Sequence, residues 1–235
     1  MRKITIILLS LVLSSFSKEH PQNDLKEYGL NGKVKAVYTT NYLDLEKADG
    51  KWIENQNFIV SKSIMFFNKN GNISKILEMY PLPNSVIKFD TALTIEFSHK
   101  NERKVAYSKS YYNLKETGKY TWLNKKNYKL IATREDGLTI TSYSKLSRKF
   151  RDLSGNYKYQ LNDSIVLNES YKNTLNRKNQ IIKSVFTDSI SGKKRTIEFE
   201  ILELDKNNNI TKLAQTDSKT EKLKKYSTRT YEYFE

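Results

Sequence analysis

Apolar and polar positions alternate with period two through much of this chain. Ile197, Phe199 and Ile201 alternate with Glu198 and Glu200, Ile140 sits between Thr139 and Thr141, and Tyr231 and Tyr233 flank Glu232. This pattern sets one face of a strand against the other and predicts β structure. Helical spacing is confined to Thr220–Lys225, which reads as a charged turn. The strands are broken by a recurring reversal, clearest at Phe67-Asn-Lys-Asn-Gly-Asn-Ile73. Its asparagines bond their own backbone and tolerate left-handed angles, and Gly71 takes positive φ at no steric cost. Variants begin at Phe97, Leu123, Phe150, Leu175 and Leu204, so the steps are 30, 26, 27, 25 and 29 residues. A second set of turns falls between them, at Ala48-Asp49-Gly50, Pro81–Asn84, Glu116–Gly118, Glu135–Gly137, Leu161–Asp163, Ser189–Gly192 and Thr216–Ser218. Near-constant spacing marks a repeat architecture of two strands and two turns per unit.

The prediction is an all-β fold, an antiparallel meander of about 12–14 strands built from hairpin repeats of about 27 residues. Open sheets beyond ~10 strands curl, split or close. A strongly twisted or curved sheet is therefore expected, with a closed β-barrel as the alternative. Lys, Arg and Glu on both strand faces argue against a lipid-facing wall, because each charge facing lipid costs ~2–4 kcal/mol near the midplane.

The Tyr/Phe-Asp/Asn-x-x-Gly-Asn hairpins, the opening Tyr28-Gly-Leu-Asn-Gly-Lys-Val-Lys and the closing Arg229-Thr-Tyr-Glu-Tyr-Phe resemble the short YD (RHS-type) repeat proteins secreted by, or held in the envelope of, Gram-negative bacteria. The resemblance spans residues 28–235. It implies a hairpin-repeat fold and carries no established activity. Asn68 stands where the pattern has Asp, and Asn208 where it has Gly.

Residues 1–17 read as a secretory leader, with Arg2 and Lys3 before the apolar run Ile4–Leu13 and a Ser15-Phe-Ser17 cleavage site. Residues 18–27 read as a polar lead-in and 28–235 as one β-repeat domain. The expected location is the periplasm, the outside of the cell or the outer envelope, with no transmembrane segment after cleavage. The chain has no cysteine, which excludes disulfides, thiolate nucleophiles and zinc–thiolate centres. Its net charge is +15, and +13 without the leader. Such a balance suits nucleic acid, anionic headgroups or acidic polysaccharide, but the lysines are scattered along the sequence and export disfavours a nucleic-acid partner. Lys222-Leu-Lys-Lys225, the densest basic run, reads as a solvated turn.

Catalytic groups are sparse. His20 lies in the lead-in and His99 reads as an exposed turn residue, so neither a His pair nor a triad forms. Carboxylate-pair hydrolysis could use Glu78, Glu96, Glu198, Glu200 or Glu203, though alternating acids usually mark a wet face. Asp205-Lys-Asn207-Asn-Asn209 approaches a calcium-loop spacing without its later acids. No metal or cofactor is expected. The candidate binding residues are aromatic: Trp52, Trp122, Tyr111, Tyr112, Tyr157 and Tyr159, read as platforms on an exposed sheet face. The expected function is non-enzymatic, an exported binding or structural module recognising polysaccharide or an envelope protein. The alternatives are a carboxylate-based polysaccharide hydrolase and an assembly factor offering an edge strand at Val34–Tyr38 or Arg229–Phe234.

Overall fold

The structure, a computed structural model, describes residues 23–82 and 88–235. The leader expected over residues 1–17 lies outside the described residues, as do His20, Pro83 and Asn84. A short helix α1 (Asp24–Tyr28) precedes β1 (Val34–Tyr42), a two-residue hairpin of β2 (Lys47–Ala48) and β3 (Lys51–Trp52), and β4 (Ile59–Phe67). The meander continues with β5 (Ile73–Pro81), β6 (Phe89–Lys100), β7 (Arg103–Tyr111), β8 (Leu114–Trp122), β9 (Asn127–Arg134) and β10 (Leu138–Leu146). It ends with β11 (Asp152–Leu161), β12 (Ser164–Leu175), β13 (Ile181–Asp188), β14 (Lys194–Leu204), β15 (Ile210–Asp217) and β16 (Leu223–Tyr233).

All but β2 and β3 join one closed antiparallel barrel of 14 strands, each paired with its neighbours in the chain. The open curved sheet that the sequence favours is not formed; the barrel alternative is. The reason is the seam, where β1 pairs with β16 from Val34↔Tyr233 to Tyr42↔Tyr226. Two edges that an open sheet would leave unpaired thereby bond each other.

The six recurring turns all lie at chain reversals, and all at the same end of the barrel, beside α1. Four share one hydrogen-bond scheme. A side-chain oxygen at the first position accepts from backbone N–H groups two and four residues on: Asn68 from Asn70 and Asn72, Ser147 from Lys149 and Arg151, Asn176 from Lys178 and Gln180, Asp205 from Asn207 and Asn209. The fourth position of each has positive φ, at Gly71, Phe150, Asn179 and Asn208. A Cβ on Gly71 would also lie 2.5 Å from the Asn23 amide, so a larger residue there would displace the side chain that caps α1. The fourth repeat thus starts at Leu146 and not at Phe150. Phe150 occupies the position that glycine or asparagine fills elsewhere, and Gly155 lies inside β11. A left-handed angle at a bulky residue costs about 1–2 kcal/mol.

Cross-strand partners share a face, so the register sorts the wall. One continuous row reads Phe97, Tyr107, Gly118, Ala132, Ile140, Tyr159, Leu167 and points into the barrel. The row beside it reads Ser98, Ala106, Lys119, Ile131, Thr141, Lys158, Asn168 and points out. Tyr107 lies so close over Gly118 that a Cβ there would meet its ring at 2.2 Å. The outer face also carries exposed Lys75–Glu96 and Lys183–Glu198 pairs at 3.4 and 3.5 Å. Outside the Tyr42–Tyr226–Ala214 patch, lysine, threonine or serine recurs along the outward rows between exposed Tyr38, Ile131 and Tyr143, and makes a wall suited to water. Embedding it in a bilayer would cost ~2–4 kcal/mol for each lysine near the midplane. The protein is therefore expected to stay in the aqueous phase when mixed with liposomes and floated. Recovery in the lipid fraction, resistant to high salt, would contradict the outward assignment.

The 43–58 connection folds back on the outer wall. Its Leu45 is buried against Tyr42, Ala214 and Tyr226 of the wall, its Trp52 packs on the same cluster, and its Glu54 accepts from Tyr226 Oη at 3.0 Å and Lys212 Nζ at 3.1 Å.

Candidate functional site

Helix α1 seals one end of the barrel. Asn23 caps it, accepting from Lys26 N at 3.3 Å, and Gly29 ends it with φ 70° while Leu30 N donates to Leu25 O. Five residues are too few for a helix to persist alone, so the barrel must hold it. Leu25, Leu30, Val34, Val37, Phe67 and Ile73 form the apolar half of that contact.

The polar half is a buried charge network. Asp24 Oδ2 accepts from Ile73 N at 2.8 Å and from the His99 ring Nε2 at 2.7 Å. Lys104, only 3% exposed, reaches Glu27 at 3.0 Å and Asp24 at 3.6 Å. Tyr128 Oη donates to Glu27 at 2.9 Å, and Arg151 donates to the Glu27 carbonyl at 2.6 Å. The rings of Tyr28, Tyr120 and Tyr128 stand 5.5–5.9 Å from the ammonium. Burial opposes the charge on Lys104, yet Glu27 and the surrounding tyrosines hold its pKa well above the usual lysine value. Burial also drives the Tyr128 hydroxyl well above its ordinary range. His99, expected as an exposed turn residue, is instead a half-buried partner of the plug, and residues 24–27 of the polar lead-in form the plug together with Tyr28.

Beyond the plug lies a chamber of about 350 Å³, lined by Phe97, Tyr107, Tyr120, Tyr157, Tyr159 and Tyr171 together with Lys109, Glu116, Ser142 and Ser144. Lys109 and Glu116 also border a second cavity of about 240 Å³ that includes Tyr111, Leu114 and Arg134, so the interior continues towards the far rim. The rings adjoin, with Tyr107 and Tyr120 centroids 6.1 Å apart and Tyr157 and Tyr159 5.8 Å apart. Polar groups alternate with them. Tyr107 Oη donates to Glu116 at 2.6 Å, Lys109 lies 3.7 Å from the same carboxylate, and Glu116 Oε2 is buried without a protein partner. Tyr157 donates to Glu169, which Arg195 also contacts at 3.0 Å. Tyr171 donates to Asp152 at 2.9 Å, and burial pushes the Asp152 carboxyl up to about 6. Flat aromatic faces between hydroxyl, carboxylate and amine groups can stack on a ring and bond its hydroxyls together.

Of the six aromatic residues expected as an exposed platform, Tyr157 and Tyr159 meet in this chamber and Tyr111 borders its outer extension. They face inward, because the sheet closes around its aromatic face. Tyr112 is 69% exposed in the β7–β8 turn. Trp122 belongs to the plug contact, donating to Lys104 O at 2.9 Å with its ring 4.8 Å from Tyr128. Trp52, in the 43–58 connection, packs on the outer wall against Tyr42 and Tyr226 with Lys47 over its ring. Sequence reasoning missed Tyr107, Tyr120 and Tyr171. Tyr107 shares a cross-strand row with Phe97 and Tyr159, Tyr120 one with Tyr157, and Tyr171 one with Tyr128, a signal readable only once the register is known.

The candidate acids do not gather. Glu96, Glu198, Glu200 and Glu203 pair with lysines on the outer wall, and Glu78 faces inward with Tyr80 donating to it. Asp205 spends its oxygens on turn amides and Tyr233. Among the described residues no group of three or more His, Asp or Glu is placed to hold a metal ion.

No family model matches the chain, and no curated protein matches it. Among solved structures, a porin-like protein from Bacteroides vulgatus superposes with TM-score 0.52 at 9% identity, over 85% of this chain and 98% of that one. The likeness lies in the barrel fold.

Proposed function

We propose that the protein is an exported, non-enzymatic binding module of the bacterial cell envelope, whose tyrosine-lined chamber takes a segment of polysaccharide. The observation that carries this reading is the set of inward-facing aromatic rings interspersed with Ser, Glu and Lys around one cavity. The porin-like fold of the barrel suits an envelope role. Its lysine-covered wall favours the periplasm or the exterior over residence in a bilayer. The leader-like start of the sequence points the same way. Kinship with the short YD-type repeat proteins rests on the shared turn chemistry. The edge-strand assembly factor loses its support, because the two edges it would offer are bonded to each other.

A glycan array tests the reading. The parent is expected to bind neutral oligosaccharides, and Tyr159→Ala to weaken that binding about 2–12-fold, the range of one aromatic contact. Trp52→Ala should leave it unchanged. Absence of glycan binding by the parent, or equal binding by Tyr159→Ala, would retire the chamber as a sugar site. Release of reducing sugar by the parent would instead restore the hydrolase reading.

A further inference from the structure

The scatter of lysines along the sequence is undone by the fold. Three neighbouring turns at the plugged end, residues 123–127, 147–151 and 176–180, carry Lys125, Lys126, Arg148, Lys149, Arg151, Arg177 and Lys178 and no acid. The other reversals at that end have no such excess: 68–72 holds Lys69 alone, 101–102 holds Glu102, and 205–209 balances Asp205 against Lys206. Between the three basic turns and α1 lies a cleft of about 770 Å³, and none of its lining residues is a carboxylate. A shallower cavity of about 260 Å³ adjoins it through Arg148, Lys149 and Asn179 and adds Arg177.

Phe150 lines this cleft. It is the one bulky residue among four equivalent turn positions with positive φ, the others being Gly71, Asn179 and Asn208. Its ring is half-buried, with the ammonium groups of Lys26 and Lys126 5.8 and 5.9 Å from its centre. A backbone outlier that the turn itself does not need is a sign of a use for the side chain. The cleft therefore offers one flat apolar face ringed by cations, with amides of Asn31, Asn124 and Asn179 at its border.

We infer that this cleft is a second binding site, specific for an anionic oligosaccharide. Phe150 stacks on a sugar ring, and the lysines and arginines take its sulfate, phosphate or carboxylate groups. A volume of this size falls in the range of small-ligand pockets. A nucleic-acid strand fits less well, since sequence-tolerant strand binding uses successive aromatic platforms along a groove, and here there is a single ring. The site is independent of the chamber, lying on the other side of α1.

The test measures binding of a heparin tetrasaccharide, the same tetrasaccharide after desulfation, a single-stranded oligonucleotide of matched charge and inorganic phosphate. The sulfated sugar is expected to bind at least tenfold more tightly than the other three, with affinity falling as salt is raised. Arg148→Glu with Lys149→Glu should weaken it more than tenfold. Phe150→Gly separates a ligand role from a structural one: it should raise Tm by relieving the turn and yet weaken the sulfated sugar about tenfold. Tyr159→Ala, in the chamber, should leave the affinity for the sulfated sugar unchanged. Tighter binding of the oligonucleotide, equal binding of free phosphate, or unchanged affinity in Phe150→Gly would overturn the inference without touching the chamber.

Discussion

Replacing Lys104 with methionine is expected to cost about 3–5 kcal/mol of folding stability, the loss seen when one partner of a buried ion pair is removed. Methionine keeps most of the stem's packing but leaves Asp24 and Glu27 buried without their shared cation. Glu27 would retain only Tyr128 and, through its carbonyl, Arg151. For a domain of this size each kcal/mol moves Tm by roughly 2–4 °C, so a drop of roughly 6–20 °C is expected by calorimetry. Lys75→Met supplies the contrast. Its 3.4 Å contact with Glu96 lies on the wet outer wall, where such pairs contribute about 0–1 kcal/mol. Similar small losses for both variants would show that α1 is not seated in the barrel.

The hairpin order was legible in the sequence because its causes are local. An Asn, Asp or Ser bonding two amides ahead, with Gly or Asn at a left-handed position, is written within five residues, and five of the six copies sit at reversals as read, the fourth reaching from its turn into β11. The offset in the fourth copy shows the limit of that signal: Phe150 reads as the residue that opens the turn, whereas the turn is built on Ser147 and places Phe150 at the strained position.

Closure was not legible, since it depends on β1 meeting β16 across nearly the whole chain. The two strands carry no local mark of it. The facing of the tyrosines followed from closure, and so did the site: Tyr157 and Tyr159 were picked out, but as an exposed platform. Trp52 and Trp122, the most conspicuous residues by type, serve packing. Helix α1 was hidden by its brevity, and His99 by lying next to a turn. The basic cleft was hidden because its cations come from three turns about 25 residues apart, which only the barrel brings side by side.

The seam between β1 and β16 carries the whole account, and the absence of cysteine from the chain makes it directly testable. Thr40 and Thr228 are cross-strand partners on the outer face. Antiparallel partners have Cα atoms about 4.5–5.5 Å apart, inside the range a disulfide spans. The double variant Thr40→Cys/Thr228→Cys should oxidise in air to a species of altered mobility on a non-reducing gel. Because the bond closes a loop of most of the chain, it should add up to about 4–5 kcal/mol of stability on the chain-entropy scale. Reduction should remove both effects. A folded protein in which both thiols stay free and react with a maleimide would mean that β1 and β16 lie apart, and that the sheet does not close.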